Sequence, residues 1–124
     1  LLRGQNLMIF PEGGRTRTGR VDKENFSYGV GRFLEGVEMC RVMCLYLRGD
    51  HQERYSNMPK WGENFTCLID TLEITKTGQS GLRAQRQYTE QIVRRLAAME
   101  EQYFAGCRER CRGFEASGCL EEKP

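Results

Sequence analysis

The residues best equipped for chemistry lie together in Phe10-Pro11-Glu12-Gly13-Gly14-Arg15-Thr16-Arg17-Thr18-Gly19-Arg20. Glycines let backbone N–H groups come close to a ligand, because no Cβ stands in the way. Arginines supply planar, bidentate donors that match phosphate oxygens. Thr16 and Thr18 add hydroxyls, and the Glu12 carboxylate could hold an arginine in place or accept from a substrate hydroxyl. Together these residue types describe an anion site. The segment is neither a Walker loop, since no Gly-Lys-Ser/Thr ending follows, nor a dinucleotide fingerprint. The same composition also suits a solvent-exposed basic turn, and spacing alone leaves both readings open.

The flanking elements decide how such a loop is presented. Leu1 to Gly4 reads as the last turn of a helix left through a left-handed Gly4. Leu7-Met8-Ile9-Phe10 is a short continuous apolar run, which predicts a strand buried on both faces in a parallel or mixed sheet. It would deliver residues 12–23, a loop, to the sheet edge where α/β folds place their ligands. Phe26 to Gly36 predicts a short helix with Val30, Phe33 and Leu34 on one side, weakened by Gly29, Gly31 and Gly36. Val42 to Leu47 predicts a second buried strand, residues 50–64 a loop, and Phe65–Ile69 with Thr71–Ile74 one or two more strands. Tyr88, Ile92, Leu96, Met99 and Tyr103 recur at helical spacing and predict an amphipathic helix over 82–104 packed on the sheet. A membrane-surface helix is the alternative, opposed by Glu90, Glu100 and Glu101. Residues 1–104 thus read as one domain portion, and 105–124 as a polar, poorly ordered tail.

Composition bounds the possibilities. The 124 residues suit one domain, with 39% hydrophobic and 29% charged residues, enough apolar content for a core. A net charge of +2 does not indicate a nucleic-acid binder. No apolar run approaches the roughly 18 residues of a membrane span. The chain starts at Leu1 rather than Met and reads as a piece of a longer protein. The six cysteines, at 40, 44, 67, 107, 111 and 119, lack the paired spacing of zinc sites and read as reduced thiols, so no metal is expected.

Residues 10–17 resemble the third block of the glycerol-3-phosphate and 1-acylglycerol-3-phosphate (lysophosphatidate) acyltransferases, which reads Phe-Pro-Glu-Gly-Thr-Arg-Ser. Gly14 stands for the usual Thr and Thr16 for Ser. The Leu-Met-Ile lead-in, Gly19-Arg20 and Gly29-Val30-Gly31-Arg32 agree with the likeness. Val42 to Gly49 resembles the fourth block, with Cys44 where proline is usual. The resemblance, covering about residues 1–75, implies an α/β fold: a mixed β-sheet flanked by helices, here incomplete as the C-terminal portion of the acyltransferase domain. It implies that Glu12, Gly13, Gly14, Arg15, Thr16 and Arg17 bind the phosphate of the acceptor.

The family's catalytic His, separated by four residues from an Asp, lies upstream of that block. The one histidine here, His51, is downstream and is followed five positions on by Ser56, so no catalytic residue is expected in this chain. By the same likeness, acyl-CoA or acyl carrier protein is the co-substrate and no cofactor is needed. The full-length protein would then work in phospholipid biosynthesis at the cytoplasmic face of a membrane, peripheral or anchored through its upstream part. A domain portion of this kind should expose sheet edge and core surface that the rest normally covers. A non-catalytic lipid-phosphate-binding module is the second reading. An RNA-binding loop is the third, and it lacks aromatic platforms for stacking.

Overall fold

The computed structural model describes residues 4–14, 16–51, 58 and 60–117, with side chains as far as residue 108. Its elements are α1 (Gly29–Glu35), β1 (Val42–Gly49), β2 (Phe65–Leu72) and α2 (Leu82–Ser117). β1 and β2 form a two-stranded antiparallel sheet, with Val42 opposite Leu72 and Gly49 opposite Phe65. The result is a small α/β unit in which one long helix covers one face of the sheet and carries α1 beside it.

Two expectations change. The sheet is purely antiparallel, and Leu7–Phe10 is not one of its strands. Met8 and Phe10 are 78% and 74% exposed, where a strand buried on both faces was expected. A strand exists only through a ladder partner, and β1 and β2 pair with each other. The second difference lies in β1, which is buried on one face only. Cys44 and Tyr46 point inward, while Met43, Leu45 and Leu47 point outward beside Ile69, Cys67 and Phe65 of β2. This alternation is the period of two that an antiparallel sheet with one covered face requires. Its outer face is apolar and exposed, in line with the uncovered surface expected.

α2 supplies most of the core. Ala84, Tyr88, Ile92, Met99 and Tyr103 are buried with Val30 and Leu34 of α1 and with Cys44 and Tyr46 of β1, and Leu96 packs against that cluster. The predicted stripe therefore packs inward on the sheet and α1. The helix begins where predicted and continues beyond residue 104 to Ser117. On β2, Asp70 forms an ion pair with Arg95 and ties the sheet to α2.

A seven-residue helix such as α1 is not stable alone. Three contacts hold it. Gly31 lies against the α2 backbone, its N–H donating to Thr89 Oγ1 at 3.1 Å, and Thr89 donates in turn to Gln85 O at 2.9 Å. Lys76 donates to the carbonyls of Leu34 and Val37 at the C-terminal end, where a cation complements the helix dipole. Glu35 reaches the start of α2, accepting from Gly81 N–H at 2.6 Å and Gln85 Nε2 at 2.7 Å.

Those bonds, Gln85 first and then Gly81, hold the Glu35 carboxyl below its ordinary value of 4.5. The sign follows from linkage. A folded-state value below the unfolded one gives stability that is present above the ordinary value and lost as pH falls through the folded one. Glu35→Gln keeps an acceptor for Gly81 but cannot titrate. Its thermal midpoint should therefore fall less than that of the wild type between about pH 6 and pH 3. Parallel curves would show that Glu35 contributes nothing to the acid response.

Candidate functional site: a basic loop docked on the long helix

Residues 12–14 and 16–23 form a loop, as expected. Its neck is closed by three hydrogen bonds. Gly13 N–H donates to Phe10 O at 3.0 Å, Ser27 N–H donates to Pro11 O at 2.9 Å, and Asp22 N–H donates to Glu12 Oε1 at 3.0 Å. Gly13 and Gly19 both take φ +65°, a left-handed conformation that favours glycine. Asp22 accepts from the N–H groups of Glu24 and Asn25, each at 2.9 Å, which turns the chain back toward α1.

Glu12 is thus at the neck and braces the loop through Asp22. It is half-buried, and burial pushes its carboxyl up, against the lowering effect of the Asp22 N–H. Arg15 lies outside the described residues. Thr16 is half-buried, whereas Gly13, Gly14 and Arg17 are exposed around the tip. An added Cβ at Gly13 or Gly14 would meet no described atom within 4 Å, so the backbone is unshielded there, with Gly13 N–H itself bonded to Phe10 O.

The far arm of the loop is fastened to α2 and β1 by residues that motif reading did not select. Glu100, only 7% exposed, accepts from Val21 N–H at 2.9 Å and from the Tyr46 hydroxyl at 3.4 Å. Its other oxygen lies 3.6 Å from Arg20 Nη1. Arg48, at the end of β1, donates to Gly19 O and to the Tyr46 hydroxyl. Both guanidinium groups lie over the Phe104 ring, Arg20 at 3.7 Å and Arg48 at 4.8 Å from its centre. Such stacking suits the planar, weakly hydrated guanidinium. Lys23 adds a 3.9 Å contact to Glu101. Burial comes first among the influences that push the Tyr46 hydroxyl up, so it remains a protonated relay between Arg48 and Glu100.

Signals for this bracket existed in the sequence, in Glu100 and Phe104 on the long helix and Arg48 just after a strand. No spacing linked them to residues 19–21. The site is an open surface rather than a cleft. Two surface clefts of about 300 and 470 Å³ are lined by Thr75 to Arg94 residues and by residues around Glu38 and Ile74, away from the loop.

His51 is exposed, its Nδ1 3.3 Å from Glu63 Oε1, and its backbone N–H donates to that same oxygen at 2.9 Å. It has a local structural role in the turn after β1. Cys40 and Cys67 are exposed thiols, and Cys44 is a buried one whose value burial pushes up. Among the described residues no group of three His, Cys, Asp or Glu side chains could hold a metal. No described helix is long and apolar enough to cross a membrane.

No family model, curated protein or solved structure matches the chain.

Proposed function

We propose that the loop at residues 12–17 holds the phosphate of a glycerolipid acceptor, residues 13–17 at the ligand and Glu12 at the neck, and that the chain is the C-terminal portion of a lysophosphatidate-type acyltransferase domain. The observation that carries this reading is the Phe-Pro-Glu-Gly-Gly-Arg-Thr-Arg block at residues 10–17, set in a loop with a closed neck and an open, glycine-containing tip. The N–H of Gly14, with the Arg15 and Arg17 guanidinium groups, would neutralise and orient the phosphate, and Gly13, whose own N–H is bonded to Phe10 O, would let the backbone approach without a Cβ in the way. Glu12 would brace the loop from its neck rather than touch the ligand. The apolar outer face of the sheet, with Met43, Leu45, Leu47 and Ile69 exposed, is a surface that a further layer of the domain would cover.

Acyl transfer would proceed by attack of the acceptor hydroxyl on the thioester carbon of acyl-CoA or acyl carrier protein. The hydroxyl proton goes to a His that this reading places upstream of residue 1, and the thiolate leaves, taking that proton from the imidazolium as it departs. The phosphate loop would hold the glycerol backbone so that its hydroxyl reaches that base. The catalytic steps therefore lie outside residues 1–124. A general base is worth about 10²–10⁴-fold in rate. Purified chain should accordingly release no thiol from acyl-CoA in the presence of lysophosphatidate, and steady thiol release above the no-protein control would overturn this division of labour.

Calorimetry tests the binding half. A short-chain lysophosphatidate should bind the chain at least about tenfold more tightly than the monoacylglycerol of the same chain length, a difference of about 1.4 kcal/mol. Equal affinity for the two would remove the phosphate from the account. A non-catalytic lipid-phosphate module would share this result and differ only in lacking the upstream His and Asp.

A further inference from the structure

Glu100 is a nearly buried carboxylate, yet it lies far in sequence from every residue of the loop motif. Its contacts converge on one place. One oxygen accepts from Val21 N–H at 2.9 Å and from Tyr46 OH at 3.4 Å, and the other faces Arg20 at 3.6 Å. Arg20 is held from below by the Phe104 ring, one turn further along α2. Arg48 closes the bracket from β1 through Gly19 O. Apart from the Tyr46 hydroxyl, these contacts fall on residues 19–21, the arm by which the loop returns. The other arm is fixed by the bonds from Ser27 to Pro11 and from Asp22 to Glu12. Between the two arms, the described tip residues 13, 14 and 16–18 show no such anchor to the helix. Its geometry is therefore set by where its ends are held.

We infer that Glu100, with Phe104 beneath Arg20, is a positioning residue for anion binding by the loop tip: it docks residues 19–21 on α2 and so presets the cradle at residues 13–17. This inference rests on the phosphate-binding reading of the loop. It adds that the determinant of affinity sits on the C-terminal helix, outside the motif, and that it is itself an anion.

That last point makes the role separable from simple charge. Removing a carboxylate near a phosphate site raises the local potential and on charge alone strengthens anion binding. A positioning role predicts the reverse, because the cradle would lose its preset form and binding would have to order it. A role confined to core stability would change the unfolding of the whole domain without acting on the loop first.

The test compares the wild-type chain with Glu100→Ala, Glu100→Gln and Phe104→Leu. It measures amide hydrogen exchange at Val21 and in the α2 core around Ile92, together with affinity for short-chain lysophosphatidate and for the matching monoacylglycerol. Glu100→Ala should speed exchange at Val21 at least about tenfold while leaving Ile92 protected, since a local anchor opens without global unfolding. It should weaken lysophosphatidate binding about tenfold despite the loss of a negative charge. Glu100→Gln retains an acceptor for Val21 and should stay within about threefold of wild type. Phe104→Leu carries no charge change and should weaken binding severalfold, which keeps the test decisive if Glu100→Ala does not fold.

Unchanged Val21 exchange in Glu100→Ala, or equal or tighter lysophosphatidate binding, would overturn the inference. Equal loss of protection at Val21 and Ile92 would also overturn it, leaving Glu100 a stability residue. If the wild-type chain itself fails to prefer lysophosphatidate over monoacylglycerol, the phosphate reading falls and this inference falls with it. If the wild type prefers it and the variants bind equally well, this inference alone is wrong.

Discussion

Replacing Gly31 by alanine should destabilise the domain by about 3 kcal/mol or more. A Cβ at that position would stand 1.8 Å from Gln85 O and 2.6 Å from both Gln85 C and Thr89 Oγ1. Two of those atoms belong to the α2 backbone and cannot turn aside as a side chain would. The helices must separate, and separation breaks the bond from Gly31 N–H to Thr89 Oγ1 and opens the cluster that includes Val30, Leu34, Ala84 and Tyr88. In a domain of this size each kcal/mol shifts the thermal midpoint by roughly 3–5 °C, so a fall of about 10 °C or more is expected. Gly36 provides the control. It sits in an ordinary right-handed conformation with the nearest atom 3.6 Å from its Cβ position, so Gly36→Ala should be neutral or slightly stabilising. Similar midpoints for the two variants would show that α1 does not lie as close to α2 as described.

The second large effect is expected at Arg15. Arg15→Ala should weaken binding of lysophosphatidate about 10- to 100-fold, the range for loss of hydrogen bonds to a charged group, and leave monoacylglycerol binding unchanged. Arg15→Lys should recover only part of the loss, because an ammonium is a point charge and cannot make the paired contacts of a guanidinium. In the acyltransferase proposed above, the same substitution should raise the KM for the acceptor and hardly move that for the thioester. A uniform loss for acceptor and thioester alike would assign Arg15 to maintenance of the loop, and full rescue by lysine would reduce its part to charge.

The contrast between Gly31 and Arg15 shows what the amino-acid order reveals and what it conceals. α2 was legible because Tyr88, Ile92, Leu96, Met99 and Tyr103 repeat at helical spacing over four turns, a signal that depends on one element only. β1 and β2 were legible as short apolar runs between turn residues, and β2 proved continuous where two pieces were possible. Leu7–Phe10 is an apolar run as the start of β1 is, but has no ladder partner among the described residues, and an apolar run carries no mark of whether a partner exists. Gly31 read as a residue that weakens a helix, whereas its missing side chain is what lets two helices touch. Glu100 read only as one of three carboxylates that oppose adhesion of the helix to a membrane. Its burial follows from the docking of residues 19–21, a contact across 79 positions that no local pattern encodes. The motif in the loop was legible as residue types, while the bracket that holds it became visible only in three dimensions.

The central claim is that the open tip of this loop grips phosphate, and amide chemical shifts report on it residue by residue. In a ¹⁵N-labelled chain titrated with short-chain lysophosphatidate, the amides of Gly13, Gly14, Thr16 and Arg17 should shift together and saturably. The matching monoacylglycerol should leave them in place. Saturable shifts confined to the apolar sheet face around Leu45 and Ile69, with the loop amides unmoved, would contradict the account.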